Sequence, residues 1–143
     1  MAIITGPKGL VKAACWYAKF LGIDGHDFTL HIERKRLGIH RAYLLFDPDE
    51  MDGTLVVCPK KSRTINMYTA IAHEMVHVKQ YVLRELIDTD GSNVYWKGEL
   101  YKDSSSATED EAYWNSPWEI EAYGRERGMN YLRMKADFVA KET

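Results

Sequence analysis

Apolar positions first recur at helical spacing between residues 9 and 21, where Leu10, Ala13, Ala14, Tyr17, Ala18 and Leu21 share a face and Gly22 ends the run. From Asp27 the period falls to two. Phe28, Leu30 and Ile32 alternate with Thr29, His31 and Glu33, which predicts a half-buried strand. A turn over 34–38 leads to a second strand near 39–46, broken by Asp47-Pro48-Asp49. Asp52-Gly53 turns the chain again into a third strand over 54–58, which Pro59 stops. A long helix is predicted over 64–87, with Ile65, Tyr68, Ile71, Ala72, Met75, Val78 and Val82 as its apolar stripe. After a turn at 88–91 comes a short extended piece at 94–101, read as a hairpin arm. The polar segment over 102–111, with Glu109-Asp110-Glu111, reads as a solvated loop. Ser116 and Pro117 suit the N-cap and first position of a last helix that reaches about residue 139, with weak points at Gly124 and Gly128.

Helix, three strands, long helix, extended arm and helix together predict an α+β fold. No repeat or low-complexity linker divides the 143 residues, so a single domain spanning 1–143 is expected. The net charge of −2 carries no basic footprint for nucleic acid or an anionic membrane. No run approaches the ~18 apolar residues of a membrane-spanning helix, and the start does not read as a signal peptide. Cys15 and Cys58 each lie in an apolar stretch without disulfide or zinc-framework spacing, and read as buried free thiols of a reducing compartment. A soluble cytoplasmic protein is expected.

The chemistry concentrates in the long helix, at His73-Glu74-Met75-Val76-His77. Histidines at i and i+4 project from one helix face, close enough for both rings to reach one ion. Neutral imidazole suits zinc, and Glu74 stands where it could polarise a water on that ion. A chain of this composition would carry HExxH by chance about once in a hundred sequences, so the pattern is specific. The apolar stripe lies elsewhere on the helix, while His73, His77, Gln80 and Arg84 form a separate polar one. Gln80, one turn beyond His77, is placed to support it from behind.

Zinc at a catalytic site takes a third protein ligand and leaves one position for water. A metzincin would place glycine and histidine where this chain has Gln80 and Leu83, which excludes that class. Cys58 lies too close before His73, and outside the glycine-cysteine-leucine setting, for a deformylase-like ligand. Asp88 lacks the flanking pattern of an aspartate ligand. A glutamate from the last helix remains, and Pro117-Trp118-Glu119-Ile120-Glu121-Ala122 offers two. Glu119 and Glu121 diverge by about 200° around a helix, so only one can face the metal. Periodicity leaves both open, because Trp118, Ala122 and Met129 mark one apolar face and Ile120, Tyr131 and Phe138 another. Ser116-Pro117-Trp118-Glu119 is also a capping-box pattern, which would turn Glu119 back onto its own helix end.

With this ligand pattern the chain resembles the gluzincins, zinc peptidases whose third ligand is a glutamate on a downstream helix. More narrowly, HEMVHVKQ followed by YWNSPWEIEAYG is similar to small metallopeptidase-like proteins of tailed phages, a likeness covering about residues 64–127. The resemblance implies a minimal zincin-like fold, a zinc ion, and a peptidase-type activity on a peptide or protein, in the host cytoplasm if the chain is phage-encoded. It favours Glu119, which precedes Ala122 by three residues as the gluzincin ligand often precedes a small alanine. The expected metal ligands are then His73, His77 and Glu119, with Glu74 as the catalytic base. An extended substrate is expected to add to the edge of the small sheet, taken as the 54–58 strand. The alternative from another class is a zinc-containing interaction module that binds a host or virion protein without cleaving it. Tyr113 and Tyr123 flank the ligand helix, and either could donate to an oxyanion. His26, His31 and His40 read as ordinary sheet or surface histidines, and Trp96, Trp114 and Trp118 mainly as core.

Overall fold

The computed structural model of the protein describes residues 1–35, 42–58, 64–89, 93–101 and 108–142. Its elements run β1 (Ile3–Thr5), α1 (Lys8–Phe20), β2 (Thr29–Arg34), β3 (Ala42–Asp47), β4 (Asp52–Val57), α2 (Thr64–Val82), β5 (Leu86–Thr89), β6 (Asn93–Trp96), β7 (Glu99–Tyr101), α3 (Glu109–Asn115) and α4 (Pro117–Glu142). The class is α+β, as the periodicities predict. The apolar faces of α1, β2 and α2 are also as predicted: Leu10, Ala14, Tyr17, Leu30, Ile32, Ile71 and Met75 are all buried in one core cluster. Among the described residues, no helix is long and apolar enough to cross a membrane.

The first sheet has four strands rather than three, in the order β1-β2-β4-β3. β1 pairs parallel with β2, in register Ile3 with Thr29, and three residues are too few to display a period. Between β1 and α1, Gly6 sits at φ 138°, and a Cβ there would lie 2.5 Å from the Ile32 carbonyl oxygen. Glycine is needed there for both conformation and approach.

β4 is not an edge, which corrects the expectation for residues 54–58. It runs between β2, to which it is parallel, and β3, to which it is antiparallel. The reason is visible in its composition: Leu55, Val56 and Val57 are consecutively buried, as in a strand covered on both faces. The edges are β1 and β3, and Leu45 of β3 is 62% exposed. The predicted turn over 34–38 and the start of the second strand fall largely on 36–41, outside the described residues.

α2 ends at Val82 and not at residue 87, so Arg84 leaves the polar helical stripe. Arg84 adopts a left-handed φ of 57°. Its N–H donates to the Tyr81 carbonyl (3.1 Å), and that of Glu85 to the Gln80 carbonyl (2.8 Å). This is the Schellman closure, here without the glycine that normally announces it. The freed residues form β5, and the expected hairpin arm is a three-stranded meander, β5-β6-β7. Lys97 and Gly98, at φ 51° and 87°, make its two-residue turn.

The polar segment over 102–111 is not wholly loop. Residues 102–107 lie outside the described ones, and α3 starts at Glu109, where the Thr108 hydroxyl accepts from the Glu111 N–H at 3.1 Å. Three acidic residues in its first turn complement the helix dipole. Cys15 is exposed on α1 and only Cys58 is buried, although both are free thiols. Trp96, Trp114 and Trp118 are not core either. Trp114 is 53% exposed, while Trp96 and Trp118 are half-buried against one another.

Candidate metal centre and cleft

α4 crosses α2 with one face inward. Glu119, Ala122, Glu126, Met129 and Asn130 are buried at helical spacing, while Ile120, Tyr131 and Phe138 are exposed. Packing on α2 thus selects between the two apolar faces that periodicity left open. Ser116 begins the helix through its carbonyl, which accepts from the Ile120 N–H at 3.0 Å. Its hydroxyl serves the preceding helix, donating to the Tyr113 carbonyl at 2.7 Å.

His73 and His77 point from α2 toward α4 with ring centroids 5.0 Å apart. Glu119 Oε1 lies 3.1 Å from His73 Nε2 and 3.2 Å from His77 Nε2. The Glu119 carboxylate therefore faces the imidazoles and does not close a capping box. One ligand atom from each of the three residues falls within 4.8 Å of the others, so the group could hold a metal ion. Two imidazole nitrogens and one carboxylate are a donor set that suits zinc. Cys58 and Asp88 are not members of the group. His26 and His31 are exposed, and His40 lies outside the described residues.

Each imidazole is also held on its far side. His77 Nδ1 is 2.8 Å from Gln80 Oε1. His73 Nδ1 is 3.7 Å from Glu126 Oε1, an ion-pair distance longer than a hydrogen bond. Glu121 points away from the histidines, to Gln80 and Lys79. Glu126 was not singled out from sequence, yet it lies seven residues after Glu119 on the same helical face.

Electrostatics follow from this crowding. Burial pulls the His73 pKa down, but the carboxylates of Glu119 and Glu126 outweigh it and raise it to about 9. His77 is raised in the same way, against its burial, by Glu119 first. For Glu119, burial acts upward and the two imidazoles downward, and the net is a fall to about 2. Glu74 is raised, chiefly by burial, with the histidines pulling against it. Among the described residues, the Glu74 carboxylate accepts no hydrogen bond.

His73, Glu74, His77 and Glu119 line a cleft of about 290 Å³. Tyr43 and Leu44 of β3 form one wall, and Tyr81, Leu86, Tyr113 and Trp118 complete it. Tyr123 packs its ring on His73, with centroids 4.3 Å apart, and its hydroxyl is 3.0 Å from that of Tyr113. Tyr113 is thus the member of the pair that reaches the cleft, and burial raises its pKa. No protein-family model, curated protein or solved structure matches this chain.

Proposed function

We propose that the protein is a zinc-dependent hydrolase of the metallopeptidase type, built on a minimal zincin-like arrangement. His73, His77 and Glu119 would hold the ion. Zinc bound there would lower the pKa of a water and polarise a carbonyl oxygen. Glu74 is the general base: it takes a proton from the attacking water and passes it to the leaving amine. Its pKa is raised, chiefly by burial, which makes the carboxylate a stronger base for the water's proton. The observation that carries this reading is the convergence of two imidazole nitrogens and one carboxylate on a single point, with the Glu74 carboxylate in the same cleft.

The cleft also suggests how a peptide is presented. β3 has no strand neighbour on its outer side among the described residues, and its Tyr43 and Leu44 line the cleft. An extended peptide can add there as a further strand, with its scissile carbonyl directed to the histidines.

The test is elemental analysis of the purified protein followed by cleavage of a mixed peptide library, with parent and Glu74→Gln compared. The variant keeps the fold and the zinc but loses hydrolysis, because an amide cannot accept the water's proton. Parental turnover by Glu74→Gln would remove the base from this scheme. Zinc without cleavage in the parent would favour a non-catalytic zinc-containing interaction module.

A further inference from the structure

Gln80 is completely buried between α2 and α4. Its Nε2 donates to two acceptors, the Trp118 carbonyl at 3.0 Å and Glu121 Oε1 at 2.9 Å. Neither acceptor can donate, so the amide has one orientation and the Gln80 oxygen must face His77. That oxygen lies 2.8 Å from His77 Nδ1 and can only accept, so Nδ1 carries a proton. The remaining ring nitrogen, Nε2, is the one turned toward Glu119. Glu121 is itself fixed, by Lys79 Nζ at 2.7 Å and Arg125 Nε at 3.3 Å, and Lys79 also holds Glu85 at 2.7 Å.

We infer that Gln80 is a positioning residue for His77, fixed in turn by Glu121 and the Trp118 carbonyl, so that Nε2 and not Nδ1 is presented to a metal ion. The inference rests on the metal-site reading for its consequence, although not for its geometry. It gives Glu121 a role distinct from that of Glu119 although the two stand only two residues apart. A glutamine that merely filled space would leave the imidazole free to bind through either nitrogen. Here the direction of every hydrogen bond is determined from the carboxylate inward.

The experiment combines long-range ¹H–¹⁵N spectra of the His77 ring with zinc affinity measured by chelator competition, on parent, Gln80→Leu and Glu121→Ala. In the parent, the ring keeps a slowly exchanging Nδ1–H in the zinc-free protein and binds zinc through Nε2. Gln80→Leu loses that protected proton and about 10–100-fold in zinc affinity, the usual effect of removing a hydrogen-bond partner of a metal-bound histidine. Glu121→Ala retains the Trp118 contact and loses about tenfold or less. Circular dichroism of the zinc-free proteins checks folding, and the ring nitrogen that binds zinc in the parent decides the matter if Gln80→Leu does not fold. A protected Nδ1–H that survives in folded Gln80→Leu, or zinc bound through Nδ1 in the parent, would overturn the inference. If the parent takes up no zinc, the metal-site reading fails separately, and the Nδ1–H signal still decides whether Gln80 holds the ring.

Discussion

The two sides of α2 are built on opposite principles. Toward α1, β2 and β4 the interior is apolar, and Leu10, Ala14, Leu30, Ile32, Leu55 and Ile71 are at most 1% exposed. Toward α4 the interior is polar: His73, Lys79, Gln80, Glu119, Glu126 and Asn130 are each less than a tenth exposed. Among the described residues, every buried charged or amide side chain lies on α2 or α4, and the buried Ser116 stands immediately before α4. Burying such groups is costly unless each finds a partner. A seam of leucines and alanines would join two helices at least as firmly. The polar seam therefore makes little sense as an adhesive and good sense as a way to hold ligand atoms at fixed positions. On the proposed reading, stability comes from one wall and chemistry from the other.

The largest expected effect lies in the seam. His73→Ala, His77→Ala and Glu119→Ala each remove one of three proposed ligands, so zinc affinity falls by orders of magnitude in each. Glu121→Ala, on the same helix but facing Gln80 and Lys79, loses about tenfold or less. Competition with a chelator reads all four. A collapse in Glu121→Ala beside near-parental Glu119→Ala would invert the assignment of the two carboxylates.

A cut in the apolar wall should act on a different quantity. Leu30 is fully buried on β2, opposite Gly53 of β4. Leu30→Ala is expected to cost about 2–5 kcal/mol of stability, from lost transfer energy and the cavity left behind. The denaturation midpoint of the zinc-free protein measures it. Zinc affinity of the folded variant should stay parental. A parallel loss of affinity would mean that the two walls are not separable.

Legibility in the sequence follows the same division. One-sided burial imposes a period, so the faces of α1, β2 and α2 could be read directly, and the i, i+4 relation fixed His73 and His77 on one side of a helix. Features set by pairing or by single backbone angles left weaker traces. β1 is too short to have a period, and Arg84 holds a left-handed cap where glycine was the signal sought. Thr108 and Glu111 did carry a cap signal, hidden in a polar run. The run Leu55-Val56-Val57-Cys58 reads as a strand in the sequence, but its central place, where an edge is expected, is a tertiary fact. The same holds for Glu119 against Glu121. Local periodicity gave two apolar faces, and only the docking of α4 on α2 chose one.

The smallest expected effect is a pH dependence, spread over several units and shared among coupled groups. In the zinc-free protein, His73 is raised from an ordinary 6.5 to about 9. Its contribution to stability is then fully present below 6.5 and is lost as the pH rises through about 9. Glu119 is lowered from 4.5 to about 2, so its contribution is present above 4.5 and lost as the pH falls toward about 2. Glu74, raised chiefly by burial, adds to the loss on the alkaline side of 4.5. The seam should therefore stabilise the zinc-free chain most in mildly acid solution. Zinc bound at the proposed site would reverse the sign above neutrality, because it binds deprotonated imidazole and its affinity rises as the histidines lose their protons. Melting temperatures of zinc-free parent and Glu119→Gln, taken from pH 5 to about 9.5, should converge as the pH rises. The zinc-loaded parent should instead draw away from the zinc-free parent over the same range. A gap between zinc-free parent and Glu119→Gln that stays constant above pH 6.5 would show that the imidazoles and Glu119 are not paired in solution, and would remove the electrostatic half of the contrast between the two walls.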